Sequence, residues 1–174
     1  MAKLAFSKLG LKVNQDIQTI TINEQVIEVK QYLPINDKLT LISDVINNSY
    51  EGTNYPHWVK VDMLTELEII YHYTNLSFTD KQKEDICKLY DMLKSNGVIA
   101  AVIKAIPASE YSELSSAVRV MVNAIYQQKN SVLGILEAIN TDYDNLNLDM
   151  AALQEKLANG ESVQFLKDLM TKLG

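Results

Sequence analysis

Residues 17–32 read IQTITINEQVIEVKQY, and this stretch decides the fold. Ile20 and Ile22 share one face of the first run, and Ile27 and Val29 share one face of the second. That two-residue period belongs to half-buried strands. Asn23 and Glu24 stand at the reversal between the runs. Asparagine tolerates the left-handed dihedrals of a tight two-residue turn, whereas Glu24 sits where glycine is usual. The stretch therefore predicts a two-stranded hairpin. Two strands alone are marginal in water, so the hairpin must pack on helices or extend a neighbour's sheet.

Past Pro34 the period becomes helical. Ile35, Leu39, Ile42, Val45 and Ile46 follow the three-and-four spacing of an amphipathic helix. Residues 47–56, NNSYEGTNYP, predict a polar loop with Gly52 and Pro56 as breakers. A second helix is expected from Trp58 to Tyr73, offering Val61, Leu64, Leu67, Ile70 and Tyr71 for burial. Thr79 followed by Gln82 has the form of a capping box, and the helix it opens presents Ile86, Leu89, Tyr90 and Leu93 before stopping at Asn96-Gly97. A short apolar helix, VIAAVIKAI, runs up to Pro107. Ser109 is then expected to cap a long helix reaching Ile139, with Leu114, Val118, Met121, Ile125, Leu133 and Leu136 on its inner stripe and Gly134 within it. A polar connection over 140–148 and helices from Asp149 to Leu157 and from Ser162 to Leu173 complete the chain.

These elements predict a mainly α protein of α+β type, an N-terminal β-hairpin packed on a bundle of six or seven helices. The 174 residues are expected to form one domain, with an arm and hairpin over 1–34, a helical core over 35–140 and a C-terminal helical pair over 141–174. A chain of this length buries roughly 70% of its unfolded surface and needs no metal or disulfide staple. With 47% hydrophobic and 22% charged residues, the composition is that of an ordinary folded domain rather than a disordered chain. No uncharged apolar run is long enough for a membrane span, and Lys3 and Lys8 break up the N-terminal apolar stretches, which makes a poor secretory signal. A lone cysteine, Cys87, cannot form an internal disulfide and suits a reducing compartment.

Charge narrows the partners. Sixteen basic residues face 22 acidic ones, for a net charge of -6. Arg119 is the sole arginine and the lysines are scattered, so the basic face that nucleic-acid binding requires is missing. The acidic residues do not cluster either, which argues against a DNA mimic. Neither nucleic acid nor membrane is an expected partner.

Signs of chemistry are few. His57 and His72 lack the spacing of a metal site, and the Glu68–His72 pair at i and i+4 is only a half-site. Cys87 is expected to be a small buried hydrophobe, not a nucleophile. No serine lies in a G-x-S-x-G turn, and the six glycines form no phosphate-cradling loop. TDYDNLNLD, around Asp142 and Asp144, lacks the glycine and glutamate of a calcium loop. Glu66 and Glu68 fall on different helix faces, so they make no acid–base pair. No catalytic residue, metal or cofactor is expected.

Surface contact is the remaining role. Nine tyrosines stand out, and tyrosine offers large amphipathic area with little rotamer entropy to lose. The residues singled out for a partner interface are Tyr50, Tyr55, His57 and Trp58 in and beside the polar loop, and Ile20, Ile22 and Val29 on the hairpin.

The segments IEVKQYLPINDKLTLI, LEIIYHYTNLSFTDKQ, KLYDMLKSNG, NSVLGILEAINTDYDNLNLD and LKDLMTKLG resemble a family of small proteins encoded by tailed bacteriophages and prophages of low-GC Gram-positive bacteria. The hairpin-then-helices order is also similar to that of phage tail assembly chaperones. The family pattern would place glycine after Asn23, where this chain has Glu24. The resemblance implies a non-enzymatic structural or assembly protein, with other phage proteins or further copies of itself as partners, in the host cytoplasm or the virion. The alternatives are a tail assembly chaperone absent from the mature particle and an effector that inhibits a host protein. The family carries no functional residues to transfer.

Overall fold

The computed structural model describes residues 3–50 and 55–131. In it β1 (Ile17–Ile22) and β2 (Gln25–Lys30) pair antiparallel, with Ile22 opposite Gln25 and Ile20 opposite Ile27. The turn is as tight as a hairpin allows. Asn23 (φ 49°) and Glu24 (φ 64°) are both left-handed, the requirement of a type I′ reversal. Glu24 thus occupies the conformation that glycine would adopt freely.

The helices that follow are α1 (Ile35–Ser49), α2 (Trp58–Tyr73), α3 (Asp80–Glu84), α4 (Ile86–Ser95), α5 (Val98–Ala105) and α6 (Ala108–Lys129). The protein is mainly helical, with its N-terminal hairpin packed against the helices: β1 lies on α5, α1 on α2, and α5 also on α2 and α4. Leu33, Leu41, Val45, Val61, Leu67, Ile69, Ile70, Tyr73, Ile99, Val102 and Leu114 are almost wholly inaccessible and form the core. Each such aliphatic side chain contributes about 1.5–3 kcal/mol by leaving water. Residues 1–124 form one compact unit and 125–174 a second.

Several details differ from the sequence expectation. The expected stripe of α1 is rotated, because Ile35 and Leu39 are exposed while Lys38, Leu41, Ile42, Val45 and Ser49 are buried. Both stripes obey helical spacing; the observed one buries Leu41 and Val45 completely and gives Lys38 a buried partner in Glu110. The helix opened by Thr79 is broken in two at Asp85 (φ -110°, ψ 74°). The Asp85 carboxylate accepts the Lys88 N–H at 3.1 Å, so a side chain takes over the backbone's role and starts α4 afresh. Cys87, on α4, is exposed rather than buried, because the inner face of α4 belongs to Leu89 and Leu93. The last described helix begins at Ala108, where the Tyr111 N–H bonds the Pro107 carbonyl, and Ser109 lies inside its first turn. Its buried row is Glu110, Leu114, Val118 and Val122, one i,i+4 ridge, and Met121 is exposed.

Other expectations hold. Thr79 Oγ1 accepts the Gln82 N–H while Gln82 Oε1 accepts the Thr79 N–H, a complete capping box. Gly97 (φ 72°) provides the left-handed step between α4 and α5. Among the described residues, no helix is long and apolar enough to cross a membrane. The expected elements beyond residue 131, with Leu133, Gly134, Leu136, Asp142 and Asp144, lie outside the described residues.

Candidate functional site

The seven residues expected at a partner interface separate into two groups. Tyr50 is buried at the C-terminal end of α1, and its hydroxyl donates to the Val122 carbonyl. Val29 is fully buried, because the inner face of β2 is pressed onto the helices. Both correct the expected exposure: these side chains are packed inside the fold. Ile20 and Ile22, on the same inner face, are half-buried. Tyr55, His57 and Trp58 are exposed ahead of and at the start of α2.

Among the described residues, a row of exposed apolar side chains lies elsewhere. The arm before the hairpin exposes Leu4, Phe6, Leu9, Leu11 and Val13, each by half or more, and Phe6 by 75%. A 3₁₀ turn at Phe6–Leu9 is its only regular element, and it buries no residue. Ile17 and Val26 continue the apolar surface onto the outer face of the hairpin. The signal was present in the sequence: Leu9, Leu11 and Val13 alternate with Gly10, Lys12 and Asn14 in the period of a strand. It escapes notice when the N-terminus is read only for a secretory leader.

The hairpin has unequal edges. On the outer side of β2, Thr74 bridges to Val29, the Asn75 N–H donates to the Glu28 carbonyl (3.3 Å), and Asn75 Oδ1 accepts the Glu28 N–H (3.1 Å). Among the described residues β1 has a strand on one side only. Counting from the turn, Ile22, Ile20 and Gln18 bond to β2, so the backbone groups of Thr21, Thr19 and Ile17 point to the open edge.

Among the described residues, three clusters of three or more ionisable side chains join the helices. At the first, Glu110 Oε1 accepts from the Leu33 amide (2.9 Å) and the Tyr73 hydroxyl (2.9 Å), and Oε2 from the Lys38 ammonium (2.9 Å). Lys38 also lies 4.7 Å from the centre of the Tyr32 ring. Burial raises the Glu110 carboxyl, but the Leu33, Lys38 and Tyr73 donors outweigh it and hold the group below its ordinary value. The Tyr73 hydroxyl is pushed up, by burial first and by the Glu110 carboxylate second. Every oxygen of this cluster is engaged, which makes it a structural tie among the β2–α1 connection, α1, α2 and α6.

The second cluster joins α2 to α4. Glu66 accepts from Tyr90 Oη (2.8 Å) and from Lys94 Nζ at 2.8 and 2.6 Å. The third joins α1 to α2. Asp44 on α1 approaches the Glu68–His72 pair, and the ligand atoms of the three lie within 4.8 Å of one another. His72 Nε2 is 3.6 Å from Glu68 Oε2. Burial, then the Asp44 carboxylate, raise the Glu68 carboxyl to about 7, with Lys83 opposing them. Glu66 and Glu68 do serve different faces, as expected. Asp44 had no signal in the sequence, because only the packing of α1 on α2 brings it there.

Comparison of the chain with protein-family models, with curated proteins and with solved structures finds no match.

Proposed function

We propose that this protein acts without catalysis, through protein–protein contacts, as a bacteriophage structural or assembly component. The observation that carries this reading is the exposed arm, where Leu4, Phe6, Leu9, Leu11 and Val13 lie open to solvent beside Ile17. An apolar surface of this kind on a folded chain marks a site that another surface covers. The alternation of Leu9, Leu11 and Val13 and the open edge of β1 support strand addition as its means, in which backbone groups supply affinity and alternate side chains supply selectivity. In a particle built from many copies, a modest patch per copy suffices, because repetition supplies the avidity. The phage setting rests on the family resemblance of the segments from Ile27 to Gly174.

The test is the phage that encodes the chain, carrying either the natural sequence or Leu4→Ser, Phe6→Ser and Leu11→Ser together. The expected result is a loss of infectious particles with the triple variant, while circular dichroism of the isolated variant matches that of the natural chain. Mass spectrometry of purified natural particles then separates the two forms of the reading. Stoichiometric copies identify a virion component, and their absence identifies a transient assembly factor. Undiminished particle yield from the triple variant overturns the reading.

A further inference from the structure

We propose that Asp44, Glu68 and His72 form a binding site for a borderline divalent cation of the Zn²⁺ class, which ties α1 to α2. The three donors come from two helices of full length, 15 and 16 residues, so their backbones are fixed by core packing rather than by a loop. Glu68 and His72 lie one turn apart on α2, and Asp44 reaches them across the α1–α2 contact. A tetrahedral zinc site with bonds of about 2.1 Å has donor–donor edges of about 3.4 Å. The His72–Glu68 edge is already 3.6 Å. No edge exceeds 4.8 Å. Rotation about side-chain torsions therefore closes the set without moving either helix.

Charge and donor type point the same way. Two carboxylates match the charge of a dication, and the imidazole favours zinc-like ions over magnesium or calcium, which take oxygen donors. Among the described residues, the only side-chain contact within ion-pair distance of either carboxylate is the His72–Glu68 pair itself. Two half-buried carboxylates facing each other repel, and a cation held between them removes that cost. Beside Glu68 a cavity of about 230 Å³, lined also by Asn48, Leu64, Leu67, Tyr71 and Lys83, leaves room for solvent to complete the coordination from that side. Lys83 is the internal competitor, since its ammonium acts on Glu68 from the same cavity and partly offsets the repulsion.

The test is isothermal titration calorimetry of the full chain, stripped with chelator, against Zn²⁺ and separately against Mg²⁺. The expected result is one Zn²⁺ site per chain, with Mg²⁺ bound at least tenfold more weakly, and a melting temperature that rises with Zn²⁺. Asp44→Asn and His72→Gln each weaken the zinc site tenfold or more, whereas His57→Gln and Cys87→Ser leave it unchanged. Lys83→Met, which removes the competing ammonium, tightens it. Absence of stoichiometric zinc binding by the natural chain overturns the proposal. So does a zinc site that survives both Asp44→Asn and His72→Gln, or one that is lost with Cys87→Ser. Because the first measurement is made on the natural protein, failure of a variant to fold does not shield the proposal.

Discussion

The Lys38 ammonium lies 2.9 Å from the Glu110 carboxylate, with both side chains more than nine-tenths buried. A buried ion pair is worth less than its short distance suggests, because both charges have been taken out of water. The pair survives here because its remaining valences are filled. Glu110 also receives the Leu33 amide and the Tyr73 hydroxyl, and Lys38 also faces the Tyr32 ring. The consequence is geometric. One carboxylate fixes where the chain leaves the hairpin, which face α1 turns inward, and where α2 ends relative to α6.

Removing one partner should therefore be far worse than replacing both. Glu110→Ala leaves the buried Lys38 ammonium with only the exposed Glu113 carboxylate, 3.9 Å away, and is expected to lower unfolding free energy by about 3 kcal/mol. The double variant Lys38→Met with Glu110→Gln removes both charges and keeps an acceptor for the Leu33 amide. It is expected to remain within about 2 kcal/mol of the natural protein. Urea denaturation of the three proteins, followed by circular dichroism, measures the difference. Equal losses in both variants would show that the charge pair itself, rather than the unpaired charge, carries the energy.

The same carboxylate gives stability a defined acid dependence. Its pKa in the folded protein is lowered from 4.5, so its contribution is present above pH 4.5 and is lost as pH falls through the lower folded value. Unfolding free energy of the natural protein is expected to drop on acidification below about pH 4.5. The Lys38→Met, Glu110→Gln double variant lacks the titrating group and should show a shallower slope in that range. Parallel acid slopes for the two proteins would assign the loss to other carboxylates.

Glu24 offers a gain in stability. It holds φ at 64°, a conformation that is unfavourable for a side chain with a Cβ by roughly 1 kcal/mol and free of that penalty for glycine. Glu24→Gly should raise unfolding free energy by about 0.5–1 kcal/mol, because part of the relief is returned as chain entropy in the unfolded state. Chemical denaturation checks this directly. A loss instead of a gain would mean that the Glu24 side chain makes an interaction that outweighs the backbone strain.

What was legible in the sequence was what short-range chemistry decides. The hairpin followed from the two-residue period of Ile20, Ile22, Ile27 and Val29, and the start of α3 from the Thr79–Gln82 spacing. Properties set by long-range partners were not legible. Helical spacing in α1 allowed either Leu39 or Lys38 to face inward, and nothing local reveals that Glu110, 72 residues away in the chain, gives Lys38 a buried partner. Tyr50 reads as a loop tyrosine until the Val122 carbonyl takes its hydroxyl. Asp44 likewise carries no signal in the sequence, because the Glu68–His72 pair that it meets belongs to another helix. The exposed arm is a different kind of miss. Its alternation was visible, but only the structure reveals that Leu9, Leu11 and Val13 are exposed by half or more.

The capping box at Thr79 leads to a prediction about local rather than global stability. The five residues of α3 bury none of their side chains, so little besides the cap holds them in a helix. Thr79→Ala removes the acceptor for the Gln82 N–H, a change typically worth about 1 kcal/mol at a helix start. That energy exceeds what an unanchored five-residue helix can supply, so α3 should fray while the core stays intact. Amide hydrogen exchange is expected to quicken over residues 80–84 with global unfolding free energy changed by less than about 0.5 kcal/mol. Protection in α4 should persist, because Asp85 caps it independently through the Lys88 N–H and because Leu89 and Leu93 anchor it in the core. If Thr79→Ala instead exposed the α4 amides to exchange, the break at Asp85 would not be a true restart, and α3 and α4 would behave as one cooperative helix.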